Sequence, residues 1–358
     1  MSLQKLDIFN VRNIQRAVVE PCTGLNFIFG ANASGKSSLL EAIFILGRAR
    51  SFRTPHLKPV VTFDSDCLIV SGKVMQRSGH LCQVGIQSDG KTSEIRIQQQ
   101  SNQPRHRLAY TLPIQLIEPK SYKLLDSGPQ TRREFIDWGA FNDNELFLPA
   151  WRQFKTALVQ RNALLKQKKS SQLAVWNGEL VNYGTIVSDL RRSYLQKLEP
   201  VFKDFAYHYL GFDNLQLRYS TGWDDDKELM QSLQDDLDRD LRYGVTHSGP
   251  HRSDFSVMIS NRLAKDYVSR GQLKLLVLSL KLAQIVVLSE QQGNNACLLI
   301  DDFTAELDSS KRSLLIEFLQ QMKVQVFMTA TELSEFGNLQ HIENYKLFHV
   351  EQGEVKTA

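Results

Sequence analysis

Along residues 3–9 apolar and polar positions take turns, as they do on a half-buried strand, and residues 17–19 can pair back across a polar turn. Residues 25–29 form a continuous apolar run, the pattern of a fully buried strand, and 38–46 carry helical spacing. Short antiparallel strands are predicted at 67–75, 81–87 and 93–97, with turns at Ser78-Gly79 and Asp89-Gly90. A further strand at 112–117 ends in Glu118-Pro119. After Pro129 the period changes, and helical spacing governs from about 131 to 242 apart from a strand signal at 215–219. Trp151, Phe154, Leu158 and Leu165 share one helical face, while Trp176, Leu180, Tyr183, Val187, Leu190, Tyr194, Val201 and Phe205 form a near-heptad stripe. These predict two long helices packed as a hairpin, the arm of a second domain. Helices laid flat on the first domain are the alternative, because the pattern shows faces and no docking partner. A strand at 255–259, a long buried helix over 272–290, an apolar run at 296–300, a helix at 310–321 and strands at 325–328 and 345–350 complete the chain. Strand–helix alternation on both sides of the helical stretch predicts an α/β domain split in sequence, 1–120 and 246–358, around a helical domain at 121–245.

The loop between the apolar run at 25–29 and its helix carries the first chemistry. Gly30-Ala31-Asn32-Ala33-Ser34-Gly35-Lys36-Ser37 fits G-x-x-x-x-G-K-[ST], in the strand–loop–helix setting that phosphate binding requires. Small residues let backbone N–H groups, up to that of Ser38, turn inward around phosphates, and the helix N-terminus adds its dipole. Lys36 would reach the β- and γ-phosphates of ATP, and the Ser37 hydroxyl would ligate Mg²⁺. Leu298-Leu299-Ile300-Asp301-Asp302 has the form of a Walker B strand, its acids at the carboxyl edge of a buried strand. Asp301 would hold Mg²⁺, and Asp302 is placed to orient or deprotonate the attacking water. A solvated turn gives the same two letters, and it is the pairing with the phosphate loop that favours the functional reading.

Val268-Ser269-Arg270-Gly271-Gln272, one helix upstream of that run, is a second anion-binding candidate at a helix N-terminus, with an ordinary N-cap as the alternative. Its position resembles the signature loop of ABC-type ATPases, in which one subunit's signature contacts the γ-phosphate held by another. Ala305-Glu306-Leu307-Asp308 resembles the D-loop of that shared interface, with Asp308 its acid. Residues 6–14 and 30–46, Arg50-Ser51-Phe52-Arg53-Thr54, residues 128–139, Gly249-Pro250-His251-Arg252 and Ser269-Arg270-Gly271-Gln272-Leu273-Lys274 together closely resemble the RecF family of DNA repair and replication proteins. The resemblance covers essentially the whole chain. It implies an ABC-type P-loop ATPase head related to SMC-type heads but with a short arm. It also implies ATP-dependent DNA binding at duplex, single-stranded or gap structures, dimerisation on ATP, and weak DNA-stimulated hydrolysis. Work with RecR and RecO to help load RecA, supporting gap repair and the SOS response, is implied likewise.

The chain departs from that pattern in places. Ala33 stands where glycine is usual, so a positive φ there would carry strain. Ser37 replaces the commoner threonine, keeping the hydroxyl. Thr329-Ala330-Thr331 follows the strand at 325–328 where ABC transporters place a switch histidine. Gln115 is the better candidate for a Q-loop residue and Glu118 the other. The transporter ATP subunit, an alternative class, is disfavoured by that missing histidine and by the helical insertion. An SMC-like structural ATPase would need a far longer arm.

Composition adds bounds. At 358 residues, 42% hydrophobic and 23% charged, the chain suits two soluble globular domains. Its net charge of +4 permits a nucleic-acid partner without demanding one. Basic clusters are Arg48, Arg50, Arg53 and Lys58, then Arg105 and Arg107, then Lys166, Lys168 and Lys169, any of which could be a solvated face rather than a DNA contact. Arg132-Arg133 and Arg191-Arg192 suit internal ion pairs equally well, and His251 suits either an interface or a structural role. Four scattered cysteines, no signal-peptide core and no stretch approaching a membrane span point to a cytoplasmic protein.

Overall fold

Burial along the strands follows the alternation, and it builds two sheets around one helix. The structure, a computed structural model, describes residues 2–292, 296–302, 309–322 and 324–358. In chain order it begins β1 (Ser2–Val11), β2 (Ile14–Val19), β3 (Leu25–Phe29), α1 (Lys36–Arg48), β4 (Leu68–Met75), β5 (Leu81–Ser88), β6 (Ser93–Ile97), α2 (Arg105–Thr111) and β7 (Ile114–Ile117). There follow α3 (Lys123–Asp126), α4 (Pro129–Asp143), α5 (Phe147–Lys166), α6 (Leu173–Leu210), β8 (Leu215–Ser220), α7 (Leu229–Asp235), α8 (Leu237–Tyr243), β9 (Asp254–Ile259), β10 (Arg262–Leu263), α9 (Ala264–Tyr267) and α10 (Arg270–Gln292). The last elements are β11 (Cys297–Ile300), α11 (Ser309–Gln321), β12 (Gln325–Ala330), β13 (Tyr345–Glu351) and β14 (Glu354–Thr357). Contacts divide the chain into two units, 1–121 with 285–358, and 122–284.

In the first unit the described strands form an antiparallel sheet of order β2-β1-β4-β5-β6 and a mainly parallel sheet of order β14-β13-β3-β12-β11-β7. Only β14 runs against its neighbour in the second sheet, so β3, β12, β11, β7 and β13 all end at one edge. Every side chain from Ser38 to Gly47 is buried, the signature of a helix enclosed on all sides. One apolar cluster joins α1 to Leu6, Val70 and Val84 of the antiparallel sheet and to Ile28, Ile114 and Phe327 of the parallel one. A buried acid, Glu41 of α1, is held by a bidentate Arg12 (2.8 and 2.9 Å) and by the Ser51 hydroxyl, fastening the helix to the β1–β2 turn. Helix α2 was not signalled by the pattern.

The second unit holds the helical hairpin, α5 against α6, and the small sheet β10-β9-β8. Its arginine pairs are internal where they are buried. Arg132 grips Asp254 with two bonds of 2.7 and 2.8 Å, and Arg191 binds Asp137 while also reaching the Pro250 carbonyl and Ser253 hydroxyl. Arg133 donates to the Ser253 carbonyl, whereas Arg192 makes only an exposed 3.4 Å contact with Asp189. The His251 Nε2 lies 2.9 Å from the Thr246 carbonyl, its Nδ1 is buried without a hydrogen-bond partner, and burial lowers its pKa to about 4, helped by Arg252 and Arg133. One expectation needs correction. By length and composition a stretch does suffice to cross a membrane, 270–290 within α10, with mean hydropathy 1.6. Most of it is buried, which makes it a core helix.

Candidate functional site

The parallel strands of the first unit present their C-terminal ends together, where α/β sheets bind ligands. β3 delivers Gly30, whose φ of 154° and packing leave no room for a side chain: a Cβ would lie 2.1 Å from the Val350 carbonyl oxygen. Gly35, at φ 122°, caps α1 without any side-chain cap, and no acidic residue lies in the first helical turn. No acidic side chain of the helix's own first turn therefore competes for its N-terminal N–H groups. Ala33 adopts φ 63°, so the anticipated strain is present. A left-handed alanine costs about 1 kcal/mol, and Ala33→Gly is expected to raise stability by up to that amount in thermal denaturation.

Lys36 bends back over the loop, its Nζ donating to the carbonyls of Gly30 (2.6 Å) and Ala31 (2.9 Å). Desolvation lowers its pKa, opposed by the charges of Asp301, Asp302 and Glu335. Just past the end of β11, which β12 separates from β3, Asp301 is fixed by its backbone N–H to the Ile117 carbonyl at 2.8 Å. Its Oδ1 accepts the Ser37 hydroxyl at 2.9 Å, so residues 264 positions apart meet at one point. That pairing of one hydroxyl with one carboxylate is the donor set expected of a Mg²⁺ that completes its shell with phosphates and water. The Ser34 hydroxyl is buried with no hydrogen-bond partner, an acceptor or donor left for a ligand inside the loop. The residues present thus fit a nucleotide with its metal. Asp302 is exposed beside Asp301 at φ 54°.

Three further residues support the loop through contacts that the sequence does not show. Asn13, in the β1–β2 turn, donates to the Ser34 carbonyl (3.0 Å) and accepts from the Ser38 hydroxyl (2.9 Å). Gly353, in the β13–β14 turn, donates to the same Ser34 carbonyl at 2.7 Å. The Ser34 carbonyl of the loop is therefore anchored by two neighbouring hairpins. Thr331 accepts from the Gly30 N–H at 3.2 Å through its carbonyl, and its own N–H is held by Glu335 at 2.7 Å. A motif scan cannot see such long-range supports, since each is an ordinary turn or strand residue.

Other residues fall elsewhere. Gln115 is buried inside β7, opposite Leu298 rather than at the strand end, with its side-chain oxygen 3.2 Å from the Leu116 N–H; Glu118 stands past the end of that strand. Arg48 leaves the basic cluster: it is the last residue of α1, its Nη2 donates to the Ile114 carbonyl at 2.6 Å, and burial beside Arg50 lowers its pKa well below the usual value. The loop that follows is only partly exposed, because Ser51 and Leu57 are buried, while Arg50, Arg53 and Lys58 remain at the surface. In the second unit Ser269 caps α10 through a reciprocal pair, Gln272 N–H to Ser269 Oγ (3.2 Å) and Ser269 N–H to Gln272 Oε1 (2.9 Å). Ser269, Arg270 and Gly271 are exposed, and Arg270 lies over the Tyr122 ring at 5.1 Å. Residues 305–308, including Asp308, lie outside the described residues.

Comparison with known proteins places this geometry. Residues 2–356 match the family described as RecF/RecN/SMC N terminal domain. A DNA replication and repair protein RecF from Shewanella frigidimarina is 39% identical over 355 residues, spanning 99% of this chain and 98% of the relative. The RecF protein of Vibrio vulnificus is 38% identical over 359 residues, 99% of each. A solved structure of the recombination mediator protein RecF with ATP, in the RecFOR pathway, superposes with a TM-score of 0.88 at 27% identity over 99% of this chain and 97% of that one. Its ATPrS counterpart gives 0.87. An SMC head from Pyrococcus furiosus shares the fold, with a TM-score of 0.58 at 14% identity.

Proposed function

This chain belongs to the RecF/RecN/SMC N-terminal-domain family as a RecF-type ABC ATPase, and from that premise we propose that it is an ATP-gated DNA-binding protein of recombinational gap repair and replication restart. The observation that carries the reading is the 2.9 Å contact between Ser37 and Asp301, which joins the phosphate loop to the Walker B strand. The RecF relatives solved with ATP and ATPrS support it. In this reading backbone N–H groups between Gly30 and Ser38 bind the phosphates, other than those of Gly30 and Ser34, which are held by the Thr331 and Ala31 carbonyls; Lys36 supplies the countercharge, and Ser37 with Asp301 would hold Mg²⁺. A bound Mg²⁺ supplies further neutralisation of the β- and γ-phosphate charge. Asp302 orients or deprotonates the attacking water, and hydrolysis, weak and DNA-stimulated, acts as a switch. Ser269, Arg270, Gly271 and Gln272, with Asp308, would meet the nucleotide of a second copy, so that ATP closes a dimer. Arg50, Arg53 and Lys58 supply sequence-independent phosphate contacts to DNA. RecO and RecR are the partners, RecA loading and SOS support the outcome, and the cytoplasm the location.

Gel filtration with and without ATP tests the gate: the parent chain shifts to a dimer only with ATP, and Ser269→Arg stays monomeric. A dimer indifferent to nucleotide sinks the gating. DNA affinity measured at two salt concentrations is expected to fall with salt, by a log–log slope of about 0.9 for each phosphate contacted in a duplex.

A further inference from the structure

Thr329 sits one residue before the end of β12, buried at 1% exposure, beside the strand end where transporters would carry a histidine. Its hydroxyl donates to Asp301 Oδ1 at 2.9 Å and accepts from the backbone N–H of Asp302 at 2.8 Å. A threonine hydroxyl has one proton to give and two lone pairs to receive, so it serves both neighbours at once. Each of those bonds fixes something a loose strand end would leave free. The first aims the Asp301 carboxylate. The second holds Asp302 in the left-handed conformation, φ 54°, that a residue other than glycine adopts only when its surroundings impose it.

Ser37 donates to the same Asp301 oxygen, yet that hydroxyl is the one assigned to the metal. Thr329 lies on a different strand, β12, and is not among the residues assigned to the metal, so it is the support that stays when Ser37 turns. Two residues on, Thr331 anchors Gly30, so the end of β12 ties the acids and the start of the phosphate loop to one rigid element.

We propose that Thr329 is a positioning residue for ATP hydrolysis, setting the Asp301 carboxylate and the Asp302 backbone through its single hydroxyl. The proposal rests on the ATPase reading above and adds the group that places its acids. Because Thr329 acts on the acids and not on the phosphates, its loss is expected in turnover and not in nucleotide affinity.

The test compares Thr329→Val, which keeps the shape and removes the hydroxyl, with Thr329→Ser, which keeps the hydroxyl. ATP affinity is read by equilibrium titration, kcat by phosphate release, and folding by thermal denaturation. Thr329→Val is expected to lower kcat about tenfold or more while ATP affinity stays within about threefold of the parent. Thr329→Ser is expected to stay within about threefold of the parent kcat. A Val variant with parental kcat, equal losses in Val and Ser, or a loss of affinity matching the loss of kcat each overturns the positioning role. A parent chain that neither binds nor hydrolyses ATP overturns the ATPase reading itself, and this proposal with it; a parent that turns over alongside an unimpaired Val variant confines the failure to Thr329.

Discussion

Asp240→Asn is expected to destabilise the second unit by about 3 kcal/mol or more, the usual result of leaving a buried charge without its counterion. Asp240 of α8 and Arg161 of α5 are both fully buried, with 2.6 Å between Oδ2 and Nη1. Arg161 also donates to Thr246 Oγ1 (2.8 Å) and to Asn177 Oδ1 of α6 (2.7 Å). The other carboxylate oxygen of Asp240 takes the His247 N–H at 3.0 Å and lies 2.7 Å from its Nδ1. One charge pair therefore pins α5, α6, α8 and the segment at 246–247 together. Arg161 Nη2 already lacks a hydrogen-bond partner, and its remaining partners, Thr246 and Asn177, are neutral, so neutralising the carboxylate leaves the buried guanidinium charge uncompensated by them. Chemical denaturation of Asp240→Asn, Arg161→Met and the double variant checks this. The double variant is expected to lose clearly less than the sum of the singles, because removing both charges leaves none unpaired. A single-variant loss below about 1 kcal/mol would mean the pair is worth no more than a surface contact.

How much of this was readable in advance depended on whether the signal was local. Residues 25–29, the phosphate loop and its helix were legible because strand period, glycine spacing and helical spacing fall in one short stretch. Asp301 was legible for the same reason, as an acid ending an apolar run. The helical faces of α5 and α6 were legible from spacing, and their packing against each other comes from the structure. Arg48 was misread because a basic run suggests solvent, whereas its place at the end of an enclosed helix turns it toward Ile114. Gln115 was chosen by residue type although the strand predicted at 112–117 already contains it; only its pairing with Leu298 is beyond local reach. The contacts of Asn13, Gly353 and Thr329 were not legible because their partners are 21, 319 and 28 positions away. The site's chemistry is written in motifs, and its rigidity in contacts between them.

Lys36→Met is expected to weaken ATP binding by about 100-fold or more while leaving the chain as stable as the parent. The affinity loss follows from the chemistry of the contact: a charge-assisted bond to phosphate in a partly desolvated loop is worth about 3 kcal/mol, and one tenfold step costs about 1.4 kcal/mol. Stability is a separate matter, decided by what the lysine does without ligand. Its Nζ is then spent on two loop carbonyls, Gly30 and Ala31, and desolvation is the largest influence on its pKa. Methionine keeps most of the stem, removes the ammonium and relieves that desolvation, so a midpoint within about 1–2 °C of the parent is expected in thermal denaturation. The same variant is expected to remain monomeric with ATP present, because the gate has no nucleotide to close on. Equilibrium titration with a fluorescent ATP analogue measures the first effect and gel filtration the second. A variant that binds ATP normally would remove Lys36 from the site. One that loses ATP and still dimerises would separate dimer formation from the phosphate loop altogether.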